Sequence, residues 1–187
     1  MSDFRAYCFT VARNFEALTD LEHVVQEATD AICDALQRGN KVMLCGNGGS
    51  AADAQHIAAE LIGRYQVDRA PLPALALTVD TSALTAIAND YSFDEVFARQ
   101  LGGIGQAGDV LVAISTSGNS RNVMRAVEVA RERGITTIGL TGQSGGLMRQ
   151  LCDICICVPS DRTNHIQEMH IAIGHVICGE VERRCLV

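Results

Sequence analysis

The stretch Lys41-Val42-Met43-Leu44-Cys45-Gly46-Asn47-Gly48-Gly49-Ser50 is an apolar run that breaks into a glycine-rich turn, and helical spacing resumes directly after it. Strand, tight turn and helix in that order form the first unit of a parallel sheet with helices on both faces. The unit recurs. Apolar runs at about 41–45, 74–78, 109–114, 135–140 and 153–158 predict five strands. Helical spacing at about 50–65, 82–88, 92–102, 119–133, 145–151 and 163–184 fills the gaps between and after them. Upstream, residues 3–18 and 20–38 carry two helical patterns, broken near Thr19-Asp20 and stopped by Gly39-Asn40. The chain therefore predicts an α/β core over 41–187 preceded by a helical extension over 1–40.

The 187 residues suit one domain, and no Pro/Gly/Ser-rich linker divides them. A net charge of −7 without a Lys/Arg run argues against a duplex-binding surface, which needs clustered cations, so no nucleic-acid partner is expected. No apolar run of about 18 residues is long enough to span a bilayer, and Met1-Ser2-Asp3-Phe4-Arg5 lacks the pattern of a signal peptide. The expectation is a cytoplasmic protein without a membrane partner. Its eight cysteines are interspersed with Ile, Val and Leu and read as small core hydrophobes. Cys152-Asp-Ile-Cys155 has C-x-x-C spacing but lies in a strand pattern ended by Pro159, not at a helix start where a redox or zinc motif belongs.

Open parallel sheets bind ligands at the carboxyl ends of their strands, and three strand-end loops here have suitable chemistry. Gly46-Asn47-Gly48-Gly49-Ser50 lets backbone N–H groups converge at a helix N-terminus, a natural place for phosphate. Ser115-Thr116-Ser117-Gly118-Asn119-Ser120 adds four hydroxyls that can donate to phosphate oxygens without any cation. Asn119 or Ser120 also suits a helix cap. Thr141-Gly142-Gln143-Ser144-Gly145-Gly146 is the least distinctive, and reads equally as a plain strand-to-helix turn. Neither G-x-x-x-x-G-K-[ST] nor G-x-G-x-x-G occurs at these loops, so neither a nucleoside triphosphate nor a dinucleotide is indicated.

On the helix after the first loop, His56 and Glu60 stand four apart on one face, Arg64 extends that face, and Asp53 lies one turn before His56. The same spacing also suits a solvated polar stripe. A second polar group, His165, Gln167, Glu168, His170 and His175, lies on the final helix, with His175 in its apolar half. Helical geometry aligns His175 with Glu168, seven back, better than with Gln167, eight back, and does not choose between them.

Taken together, Cys45-Gly-Asn-Gly-Gly-Ser50, Gln55-His56 with Glu60, Ala88-Asn89-Asp90, Ile114-Ser-Thr-Ser-Gly-Asn-Ser120 and Ile166-Gln167-Glu168 resemble the phosphoheptose (sedoheptulose 7-phosphate) isomerases of the sugar isomerase (SIS) domain family. The resemblance covers nearly the whole chain. It implies a three-layer α/β sandwich with a five-stranded parallel sheet, in one SIS domain over 1–187 whose first helices serve oligomerisation. It implies a homotetramer with active sites between subunits, acting on a sugar phosphate. By matching position, Ser50, Ser115, Thr116, Ser117 and Ser120 would hold phosphate. Asn47, Gly48, Gly49, Asn89 and Asp90 would contact the sugar, as would Glu60 and Gln167. One Zn2+ per subunit would be held by His56, Glu60, Gln167 and His175, which places Gln167 ahead of Glu168. Asn164-His165 departs from the family's usual Asp-Arg or Ala-Arg.

The implied reaction converts sedoheptulose 7-phosphate to D-glycero-D-manno-heptose 7-phosphate through an enediol or enediolate, the first step of ADP- or GDP-heptose synthesis. One base must move the carbon proton and one acid–base group must serve the oxygens. Glu60 and His175 are expected in those roles, with Asp53 and Arg64 as supporting groups. The alternative reading is a non-catalytic SIS protein that binds the DnaA replication initiator, which some strings here resemble, such as Leu84-Thr-Ala-Ile-Ala-Asn-Asp90. That relative lacks the Glu60/His175 pair. A sugar-phosphate-sensing SIS module usually accompanies a DNA-binding domain, for which the pattern here leaves no room.

Overall fold

A computed structural model describes residues 3–185. Two helices, α1 (Asp3–Leu18) and α2 (Glu22–Gln37), lead into β1 (Val42–Gly46), α3 (Gly49–Ile62), β2 (Ala74–Ala76), α4 (Thr81–Asp90) and α5 (Val96–Ile104). Then follow β3 (Val110–Ile114), α6 (Arg121–Glu132), β4 (Thr136–Thr141), α7 (Met148–Leu151), β5 (Ile154–Cys157) and α8 (Thr163–Arg184). All strands pair in parallel, in the order β2-β1-β3-β4-β5. The chain runs outward from β1 to β2 and then back across to β3, so the topological switch falls between β1 and β3.

Parallel strands must be covered on both faces, because each crossover lays a helix on the sheet. Leu44, Val112, Ile138 and Ile154 align across neighbouring strands and pack with Ile32 of α2, Ile57 of α3 and Ile173 of α8. One residue along, Cys45 and Ala113 turn to the opposite face, where Leu101 of α5, Val127 of α6 and Met148 of α7 meet them. The result is the expected three-layer sandwich with a five-stranded parallel sheet.

Several boundaries differ from the sequence reading, each for a physical reason. The extension divides: α1 buries no residue, whereas α2 sends Ala28, Ile32, Cys33, Ala35 and Leu36 into the core and belongs to the sandwich. The helix expected to reach residue 65 ends at Ile62, where Gly63 turns the chain and Arg69 takes the last carbonyls. Arg64 is thus exposed, beyond the helix, and does not extend the His56–Glu60 face. The helix expected from 145 begins at Met148, because Gly145 and Gly146 adopt positive φ. Residues 93–95 form a 3-10 turn before α5.

The cysteines separate by depth. Cys33, Cys45 and Cys178 are buried, four others are half-buried, and Cys8 is exposed on α1, contrary to the uniform core reading. Burial pushes the Cys152 and Cys155 thiols up to about 12, so the C-x-x-C spacing lies among protonated, unreactive thiols. His170, fully buried on α8, donates Nε2–H to the Thr141 carbonyl at 3.1 Å and ties the helix to the end of β4. Burial holds its pKa down at about 4, and the Thr141 carbonyl only partly offsets this. Among the described residues no helix is long and apolar enough to cross a membrane.

Candidate functional site

The loops after β1 and β3 flank the topological switch and form a cradle of glycine and hydroxyl. Gly48, at φ 58° and ψ −120°, precedes α3 in a conformation open to glycine. A side chain on Gly46 would come within 2.7 Å of the Ser50 carbonyl oxygen, so the loop closes tightly over the start of α3 with Ser50 buried inside it. Asn47 exchanges two 2.8 Å hydrogen bonds with the buried Asn122 of α6, fixing the loop from the side.

Across the switch, the Ser115 hydroxyl lies 2.9 Å from the Ser120 hydroxyl and 3.5 Å from that of Ser117. Ser117 also accepts from the Asn119 N–H at 3.2 Å. The third strand-end loop supports this turn. Gly118 sits at φ 65° against the Gly145 carbonyl, and any side chain there would collide with it. Leu147 N–H donates to Asn119 Oδ1 at 3.0 Å and Met148 N–H to the Gly118 carbonyl at 3.1 Å. The Thr141–Gly146 loop is therefore the buttress of the cradle. A groove of about 460 Å³ opens between them, its walls including Thr116, Ser117, Asn119, Ser144, Asp161 and Ile166.

A second group gathers along the seam of α3 and α8. The helices run side by side in the same direction: Gln167 lies over Gly49, Gly174 admits Ile57, and His175 meets His56. A methyl group at Gly49 would collide with the Gln167 amide. His56 Nε2 lies 3.0 Å from His175 Nε2 and 3.2 Å from Glu60 Oε1. Imidazole nitrogens that face one another share either a proton or a cation. His56 links the trio, and among the described residues no three His, Cys, Asp or Glu side chains close into a full metal cage. The Tyr65 ring stacks on His175, with centroids 5.9 Å apart and planes 22° apart.

The residues singled out from the sequence are thus sorted by place. Asn47, Gly48, Gly49, Ser50, Ser115, Thr116, Ser117 and Ser120 form the cradle at the switch; His56, Glu60 and His175 form the seam. Gln167 bridges to the cradle end, its amide against Gly49, and lies about 12 Å of helical rise from His175 along α8. Asp53 lies between the groups, its Oδ2 buried without a hydrogen-bond partner among the described residues. Burial raises its pKa, and the nearby His56 partly offsets the rise. Asn89 and Asp90 end α4, exposed and hydrogen-bonded to each other at 2.9 Å. No hydrogen bond joins them to the cradle among the described residues.

Glu168 is committed elsewhere: it bonds His165 Nδ1 at 2.9 Å and the Tyr7 hydroxyl of α1. Asn164 donates to that hydroxyl at 3.0 Å. The departing pair Asn164-His165 thereby fastens α1 to α8, and Gln167 rather than Glu168 turns toward α3. Sequence reasoning missed Tyr65, Asn122 and Tyr7, none of which stands in a motif.

Comparison with known proteins places nearly the whole chain beside one family. The SIS domain family matches residues 6–142. The chain is 58% identical over 180 residues to the phosphoheptose isomerase of Rhodospirillum rubrum, covering 96% of each. With that of Akkermansia muciniphila it shares 54% over 184 residues, covering 98% of this chain and 97% of the relative. Its structure superposes on the phosphoheptose isomerase of Neisseria gonorrhoeae with a TM-score of 0.91 at 44% identity, covering 96% of this chain and 97% of that one.

Proposed function

The chain belongs to the phosphoheptose isomerases of the SIS domain family, and from that premise we propose that the cradle holds the substrate's phosphate while Glu60 and His175 move its protons. The enzyme is an aldose–ketose isomerase that converts sedoheptulose 7-phosphate to D-glycero-D-manno-heptose 7-phosphate in heptose synthesis. The observation that carries the residue assignment is the division of the site. Phosphate and reacting carbons lie at opposite ends of a seven-carbon substrate. Ser50 and His56 are six residues apart on α3, about 9 Å of helical rise.

In this reading the hydroxyls of Ser50, Ser115, Thr116, Ser117 and Ser120 donate to phosphate oxygens, with the start of α3 adding its N-terminal partial charge. Asn47, Gly48, Gly49 and Gln167 meet the sugar beside the cradle, and Asn89 and Asp90 approach it from α4. Glu60 takes the proton from C1 and returns it to C2. His175 passes a proton between O2 and O1, so that the ketose becomes an aldose through an enediol with no net change in atoms or charge. Asp53 and Arg64 are supporting groups at the edge of this path.

His56, Glu60 and His175 also suit zinc in donor type, with His56 in contact with both of the others. Gln167 is the fourth donor of the proposal and the weakest, because its amide lies against Gly49. Zinc held there would supply Lewis-acid polarisation of the carbonyl. We also place the enzyme in the cytoplasm as a homotetramer with active sites between subunits. Supporting association is the apolar surface that α1 leaves exposed, with Phe4, Phe9 and Phe15 at 77%, 54% and 37%.

The test is incubation of the purified protein with sedoheptulose 7-phosphate in deuterated water, with and without a chelator. The aldose should form with deuterium at C2, and chelation should slow it if zinc takes part. Absence of the aldose under both conditions contradicts the proposal.

A further inference from the structure

Resting on the reading of His175 as a proton-transfer group, we infer that Tyr65 is a positioning residue for it, held in place by the buried ion pair Glu182–Arg69. The chain leaves α3 at Gly63 and would be free to wander before β2. Instead Glu182, on α8, accepts the N–H groups of Tyr65, Gln66 and Val67 at 2.9, 2.8 and 2.8 Å. Three successive backbone donors on one carboxylate fix the direction in which Tyr65 projects.

The guanidinium of Arg69 completes the clamp. Its Nε donates to Glu182 Oε2 at 3.2 Å, both side chains being only 3% exposed. Its other nitrogens donate to the carbonyls of Glu60 and Leu61, each at 2.8 Å, and of Ala70 at 3.0 Å. Those of Glu60 and Leu61 are the orphan carbonyls that a helix end must satisfy. One buried charge pair therefore joins three things: the end of the helix carrying Glu60, the backbone of Tyr65, and the helix carrying His175. A surface loop needs no such device, since burying an ion pair is costly unless its hydrogen bonds are all made.

Tyr65 lies against both His175 and Gly179 of α8. A methyl at Gly179 would stand 3.3 Å from the Tyr65 ring, and Gly179 lies one turn beyond His175 on α8. The ring thus fills the place into which the His175 imidazole would otherwise turn. His175 is left facing His56 across 3.0 Å, edge-on, with the rings 65° apart. The ring makes the contact, so phenylalanine should serve as well as tyrosine and leucine should not.

The test compares Tyr65→Leu, Tyr65→Phe and His175→Gln. In Tyr65→Leu, kcat should fall by about 10- to 100-fold, the scale of a catalytic group displaced by an ångström, with KM within about twofold because the cradle is untouched. Tyr65→Phe should restore kcat to within about threefold of wild type. The imidazole C–H resonances of His175, identified by their loss in His175→Gln, should shift in the leucine variant and keep their positions in the phenylalanine variant. Gly179→Ala displaces the ring without removing it; it should lower kcat in the same direction and serves where Tyr65→Leu does not fold. A folded Tyr65→Leu, or Gly179→Ala in its place, with wild-type kcat beside an inactive His175→Gln overturns the inference alone. An active His175→Gln overturns the reading beneath it.

Discussion

The cradle at the switch point and the α3–α8 seam are built on opposite principles. The cradle is local. Its glycines, hydroxyls and helix start lie within two short loops, and its shape comes from backbone conformations that larger residues cannot adopt. The seam is assembled from side chains more than a hundred residues apart, and its geometry depends on how two helices pack. In the proposed function the first binds a fixed charge with dipoles, and the second has proton carriers that must approach one another. An error in backbone shape should therefore cost the cradle affinity, whereas an error in packing should cost the seam rate.

The widest separation between the two should come from the proton-transfer groups. His175→Gln should lower kcat by about 10² to 10⁴, the range for losing a general acid–base group, while inorganic phosphate binds as in wild type. Steady-state kinetics beside calorimetry measures both, and a joint loss would erase the distinction between regions.

His170 spans the regions, joining α8 to the strand that leads into the cradle's buttress. Its ordinary value is 6.5 and its folded value about 4, so the unfolded chain takes up the proton first as pH falls. Its stabilisation is complete above 6.5 and is lost progressively toward pH 4, by about 3 kcal/mol. Denaturant unfolding across that window should show the loss, and His170→Gln should flatten it.

Smaller effects should stay on the cradle side. Gly118→Ala forces a side chain into the left-handed region, at about 1–2 kcal/mol, and against the Gly145 carbonyl; phosphate affinity should fall with stability. Ser120→Ala removes one hydroxyl and should weaken phosphate binding about tenfold, near the lower end of a hydrogen bond to a charged group. Its kcat should stay within about twofold, which titration and turnover together would check.

The contrast also explains what was legible in the sequence. The strands, most helices and both anion loops follow from periodicity and glycine placement, which are local signals, and the structure alters them mainly at ends. The α7 start moved because two glycines take positive φ, and α3 stopped early because Arg69 caps it from outside the helix. At the seam, periodicity does not choose between Glu168 and Gln167. The structure gives Glu168 to Tyr7 and His165, a choice made by the packing of α1, which no spacing within α8 encodes. Tyr65 was likewise invisible, since its place depends on Glu182, over a hundred residues away.

The central claim is that binding and proton transfer occupy separate parts of one site. Glu60→Gln tests it most directly, because it keeps the shape of the side chain and removes only its basicity. With sedoheptulose 7-phosphate, calorimetry should return a Kd within about threefold of the wild-type value, and no aldose should accumulate. Wild-type turnover in that variant would contradict the account, and so would loss of binding in a protein that remains folded.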